Sequence, residues 1–236
     1  MRRKFAEAAW RALIYAFACA WAARASLLGD EELPWLGDSE LFWKGWPHHE
    51  VSDGMASIYV LYVGLYVHQL LFLFLDIKTS DFVALIAHHV ITLALVLGSW
   101  KYKFTRVGSF VMLLHDFSDT FLEGAKCFNY SQKHIPALST GADVAFVVFA
   151  LSFFYLRLYI YPTRVLSSML EPSRGPCTHC GCFTTTFDAC KHVVVYRLFA
   201  LLLGALQLLQ IFWGWKVLGV VVTVVRGKPL EDPRDD

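Results

Sequence analysis

Apolar residues in this chain run together in blocks, separated by short polar stretches, rather than alternating with polar ones. A helix needs about 20 such residues to cross a bilayer. Six blocks of that order stand near residues 10–28, 54–75, 81–100, 106–126, 139–165 and 193–225. Each predicts a transmembrane helix, and together they predict an all-α integral membrane bundle of six helices. The fourth block is polar for a span, and hydropathy alone would pass over it. The sixth, about 32 residues long, cannot stand upright: it must tilt, bend near Gly214 or Gly219, or project beyond the bilayer.

Composition supports the same class. The 236 residues are 56% hydrophobic before the 15 glycines are added, and only 17% are charged. Soluble domains hold roughly 45–50% apolar residues with glycine included, and a soluble globule of this size lacks the interior to bury the excess. The formal charge of +1 gives no case for nucleic acid or a polyacidic partner. Aromatic residues reach 16%, which suits interfacial belts. With no internal repeat, residues 1–236 read as one domain, with a core over 4–228 and an acidic tail over 229–236.

Loop charges orient the bundle. Arg2-Arg3-Lys4 opens the chain, whereas the first loop carries Asp30, Glu31, Glu32, Asp38 and Glu40. The positive-inside rule puts the N-terminus in the cytosol and this loop across the membrane. An even number of spans returns the C-terminus to the cytosol. Lys101, Lys103 and Arg106 dissent, since they fall on the lumenal side. An alternative reads the basic start and Ala23-Arg24-Ala25 as a cleavable leader, which would leave five spans and invert the topology.

Chemistry concentrates between Asp81 and Tyr130. The third block carries His88, His89 and Thr92; the fourth carries His115, Asp116, Asp119 and Glu123. A single Asp at a span's centre costs roughly 2.5–3.5 kcal/mol, so this density needs a reason. Spacings of three and four put Asp116, Asp119 and Glu123 on one helix face. The short link Lys101–Thr105 makes the two helices antiparallel neighbours and brings imidazoles and carboxylates to one depth. That is the material of an acid–base site, although such pairs also serve as interhelical glue. Proton coupling and ion binding remain open on these residues alone. A metal centre is not expected, because the histidines form no repeated short boxes like those of membrane di-iron enzymes.

Four cysteines, Cys177, Cys180, Cys182 and Cys190, crowd with His179 into the loop Pro172–His192. A lumenal placement makes disulfides the expected state, with free thiols and a zinc site as alternatives. On the cytosolic side, Lys78, Lys126, Lys133, Arg226 and Lys228 are candidate phosphate contacts or simple snorkelling residues. Tyr155 and Arg157 read as packing.

Residues 76–130 resemble the Lag motif of ceramide synthases, within the TLC-domain superfamily. The matching elements are DIK-x-x-D-F, HH-x-x-T, R-x-G-S, H-D-x-S-D, L-E-x-A-K and a closing N-Y. Weaker similarity lies in KFAEAAWRALIY and in RLYIYPTRVL. The Cys-x-x-Cys-x-Cys loop departs from the family pattern.

The resemblance implies a six-helix TLC-domain bundle in the endoplasmic reticulum membrane, with both termini cytosolic. It implies transfer of a fatty acyl chain from acyl-CoA, as co-substrate, to the amine of a sphingoid long-chain base, with no bound cofactor. His88, His89, His115, Asp116 and Asp119 would be catalytic, and Thr92, Glu123 and Lys126 would contact substrate. Partners would be the two lipid substrates and the bilayer, with room for a homo- or heterodimer. A His can take the proton that the acceptor ammonium must lose, or attack the thioester itself. The competing readings are a non-catalytic lipid-binding or sensing protein and a transporter.

Overall fold

The computed structural model describes residues 2–27, 39–46, 48–75, 78–132, 134–170 and 187–226. Regular structure among them is helical. In chain order the helices are α1 (Arg2–Leu27), α2 (Asp53–Phe72), α3 (Phe82–Lys101), α4 (Thr105–Ser131), α5 (Ser139–Phe153) and α6 (Phe187–Val225). α5 continues into a wider π-helical stretch, Phe154–Leu166, and a last turn, Ser167–Leu170. A 3-10 turn, Ser39–Phe42, lies between α1 and α2.

Each of the six apolar blocks coincides with a helix, but four are long and apolar enough to cross a membrane. These are α2, α3, the run Pro136–Leu170 and α6 from Val194 onward. α1 and α4 have the length, at 26 and 27 residues, without the apolarity. For α4 the reason is position. It packs against α1 and α5 along its length and also touches α2 and α3. Ser109, His115, Asp116, Ser118 and Glu123 are all buried there. A helix surrounded by helices faces protein, so polar side chains find partners that lipid would deny them. α6 is the opposite case: Leu201, Leu208 and Trp215 are exposed to the surroundings.

α3 and α4 are joined by a tight reversal. Lys103 adopts a left-handed backbone (φ 58°), and the Phe104 amide donates back to the Ser99 carbonyl at 2.8 Å. The R-x-G-S element that follows secures this end. Arg106 donates to the carbonyls of Leu41 and Lys44, at 3.1 and 2.8 Å, and so fastens the segment between α1 and α2. At Gly108 α2, α3 and α4 come close together: a Cβ there would meet the Tyr59 hydroxyl and come within 2.8 Å of Ser99 Oγ. Trp43, Trp46 and Phe104 pack with Phe199 into an apolar plug that closes this end of the bundle.

The π-helical stretch contains Pro162, which has no N–H to donate and crowds the preceding turn. The wider winding accommodates it, and such windings recur at functional sites. Arg157 lies within this stretch and is buried. α6 is helical through Gly214 and Gly219, and at Gly214 the missing side chain admits Leu158 and Phe153 of the neighbouring helix. Cys177, Cys180 and Cys182, and the side chain of Cys190, lie outside the described residues, as do Lys133 and Lys228.

Candidate active site

One cavity of about 670 Å³ opens between the six helices, each of which contributes to its lining. His88, His89, His115, Asp116 and Asp119 line its inner end, and Glu123 and Lys126 line it nearer the opening. α3 and α4 therefore present their imidazoles and carboxylates to one chamber. Thr92 is placed apart: it is buried in a separate crevice of about 30 Å³ beyond His115.

The three histidines are held differently. Each of two rings donates Nδ1–H to the carbonyl one turn earlier, His89 to Leu85 at 2.8 Å and His115 to Val111 at 2.7 Å. This fixes the neutral tautomer, because a carbonyl can only accept. In His89 it leaves Nε2 with its lone pair. In His115 that lone pair is occupied, since the Gln210 amide donates to Nε2 at 2.9 Å. His88 stands at the centre, with ring centroids 5.4 Å from His89 and 6.1 Å from His115. Its Nδ1 is buried and has no hydrogen-bond partner among the described residues.

The carboxylates divide in the same way. Asp119 pairs with Arg157 at 2.6 Å. That guanidinium also donates to Ser118 Oγ and to the His115 carbonyl, at 2.9 and 2.7 Å, and lies over the Phe153 ring. Glu123 pairs with Lys126 at 2.7 Å and Arg11 at 3.3 Å. Asp116 is 3% exposed, and its Oδ2 has no partner among the described residues. A buried carboxylate without a cation is costly, so this position is suited to receive one.

The opening is cationic. Arg3, Lys4 and Arg11 from α1, Lys126 from α4 and Lys216 from α6 line the cavity on the side where α1 begins. Of the expected phosphate contacts among the described residues, Lys126 lines the cavity, whereas Lys78 and Arg226 do not. Lys78 instead lies over the Phe82 ring. The KFAEAAWRALIY stretch gains a structural meaning, since Lys4, Glu7, Trp10, Arg11 and Tyr15 line this cavity. α1 is thus a wall of the bundle.

Sequence reasoning missed three residues here. Arg157 was expected to pack, yet it is the counter-ion of Asp119; a lone Arg in an apolar span is itself a signal. Tyr155 is exposed and points away from the site. Gln210 and Trp213 sit one turn apart on the long apolar block of α6, and the polar Gln210 was the available clue.

A helical membrane bundle with an imidazole–carboxylate chamber behind a cationic opening is the class that fold and site define. Comparison with known proteins names it more closely. The TLC domain family model matches residues 4–219. Ceramide synthase 4 of Mus musculus is 32% identical, over 100% of this chain and 55% of its own length. Ceramide synthase LOH1 of Arabidopsis thaliana is 34% identical, over 99% and 73%. Ceramide synthase LOH2 of the same plant is 31% identical, over 99% and 74%. The chain spans little more than half the length of its mammalian relatives. It belongs to the ceramide synthase family of TLC-domain proteins.

Proposed function

We propose that this protein is an N-acyltransferase that moves a fatty acyl chain from acyl-CoA to the amine of a sphingoid long-chain base, giving ceramide or dihydroceramide. The observation that carries this reading is the division of labour within one cavity. Among the described residues His88 Nδ1 and Asp116 Oδ2 have no hydrogen-bond partner, while His89 has a fixed tautomer.

In this reading a His88 nitrogen attacks the thioester carbonyl. The carbon–sulfur bond breaks, and the CoA thiolate leaves toward the cationic opening, needing little acid assistance with a thiol pKa near 8.5. An acyl-imidazolium remains, with the proton still on its other ring nitrogen. The acceptor enters as an ammonium held by Asp116 and gives up a proton to His89 Nε2. Its free amine then attacks the acyl carbon, a carbon–nitrogen bond forms, the bond to the imidazole breaks, and the nitrogen's second proton passes to the His88 ring nitrogen set free. Asp119, neutralised by Arg157, supports the imidazoles without competing for the ammonium. Sequential use of one chamber also explains how two long chains share about 670 Å³.

The site needs α1 and α4 to cross the bilayer with the four apolar helices, which gives six spans. Arg3, Lys4 and Lys216 then face the cytosol, where CoA is found, and both termini lie on that side of the endoplasmic reticulum membrane. The test is product formation. Purified protein given acyl-CoA and long-chain base is expected to release one CoA thiol for each N-acylated base. Thiol release without N-acylated product, or neither, would overturn the reading.

A further inference from the structure

The DIK-x-x-D-F element contains Asp81, which the proposed chemistry does not use. Asp81 stands at the foot of α3, two turns and seven residues before His88, on the same helix face. It is 3% exposed, and among the described residues no cation pairs with it. Its two carboxylate oxygens are each engaged by a neutral donor. Oδ1 accepts from the Thr79 hydroxyl at 2.6 Å, and Oδ2 accepts from the Trp213 indole N–H at 2.9 Å.

Trp213 in turn meets His88. The indole and imidazole pack edge to face, with centroids 5.4 Å apart and planes at 87°. This contact matters because of what His88 lacks. His89 and His115 are held by hydrogen bonds to the carbonyl one turn back, whereas His88 Nδ1 has none among the described residues. Its orientation is therefore set by packing. Of its three ring contacts, the one from α6 comes from a side chain that is itself anchored at a fixed point of α3. Lys216, one turn further along α6, donates to Ser80 Oγ at 3.4 Å and ties the same two helix ends together.

We infer that Asp81 and Trp213 form a positioning pair for His88. The carboxylate fixes the indole, and the indole fixes the imidazole plane that the reaction requires. A reactive group has to be held near its productive geometry by neighbours that are themselves locked, and small misplacements cost rate rather than binding. This role rests on the reading of His88 as the acyl-transfer centre, but its test has a readout that does not.

That readout is the rate at which diethyl pyrocarbonate modifies His88, measured by peptide mass on the intact, membrane-reconstituted protein. Trp213→Phe keeps an aromatic ring and removes the N–H. Asp81→Leu removes the acceptor. Asp81→Asn keeps an acceptor oxygen for the indole and a donor for Thr79. Trp213→Phe and Asp81→Leu are each expected to change the His88 modification rate severalfold and to lower turnover about tenfold, with KM for acyl-CoA within about twofold.

The double variant is expected to be no worse than either single one, because both break one link. Asp81→Asn should restore parental behaviour in both readouts. Parental His88 reactivity in Trp213→Phe, additive losses in the double variant, or an Asp81→Asn as impaired as Asp81→Leu would each overturn the pair. If the parent protein makes no N-acyl product, the functional reading fails, while the modification rates still decide the positioning role.

Discussion

Arg157 reaches from the π-helical stretch after α5 to Asp119 on α4, and the 2.6 Å ion pair between them is nearly sealed from solvent on the arginine side. Two apparent liabilities, an arginine in an apolar block and an aspartate inside the bundle, therefore cancel. Removing Asp119 leaves the buried guanidinium uncompensated, which costs about 3–5 kcal/mol, and removing Arg157 strands the Ser118 hydroxyl and the His115 carbonyl as well as the carboxylate. Arg157→Leu is expected to lower thermal stability in detergent strongly, and Asp119→Leu likewise. The double replacement should lose much less than the sum of the two, and a double-mutant cycle read by thermal melts checks this.

Asp116 has the contrasting environment, without a cation among the described residues. If it receives the ammonium of the acceptor, Asp116→Asn should raise KM for the long-chain base by about tenfold or more, the cost of losing a charge-assisted contact. KM for acyl-CoA should stay near its parental value. Steady-state kinetics with each substrate varied in turn separates the two. Equal effects on both would contradict the assignment.

The opening makes a prediction of its own. Arg3→Gln combined with Lys216→Gln removes two cations from the cavity's outer wall. Weaker use of acyl-CoA is expected at low salt, with the gap to the parent narrowing as ionic strength rises and screens the remaining charges. Comparing kcat/KM at several salt concentrations checks it, with a short-chain acyl thioester lacking phosphates as the control substrate.

Gly108 tests the other end of the bundle. Its neighbours, the Tyr59 hydroxyl and Ser99 Oγ, leave no room for a methyl group, and both are buried and bonded to each other at 2.9 Å. Gly108→Ala is expected to destabilise the protein by about 1–3 kcal/mol through overpacking. A thermal melt measures it, and an unchanged midpoint would show that α2, α3 and α4 can separate at that level.

Much of this was legible in the chain. The apolar blocks located the helices, but α1 begins at Arg2 rather than near 10 and α6 at Phe187 rather than near 193, because polar residues extend a helix beyond its apolar run. The spacing of His88, His89, His115, Asp116 and Asp119 placed them in one chamber, because helix pitch and a short loop leave little freedom. Arg157, Gln210 and Trp213 were not legible as site residues. They arrive from helices whose rotation depends on tertiary packing, and no local spacing rule relates residue 88 to residue 213. Thr92 shows the converse. It shares a helix face with His88 and His89 in sequence, but lies in a separate crevice beyond His115.

The central claim is that acyl transfer passes through His88 in this cavity, and a pulse–chase on the purified protein tests it most directly. Protein is mixed with acyl-CoA alone, excess is removed, its intact mass is taken, and long-chain base is then added. The account predicts one added acyl mass, located on His88, that disappears as N-acylated base is formed, and no such mass in His88→Ala. Unchanged mass in a protein that turns over both substrates together, or parental turnover by His88→Ala, would contradict it.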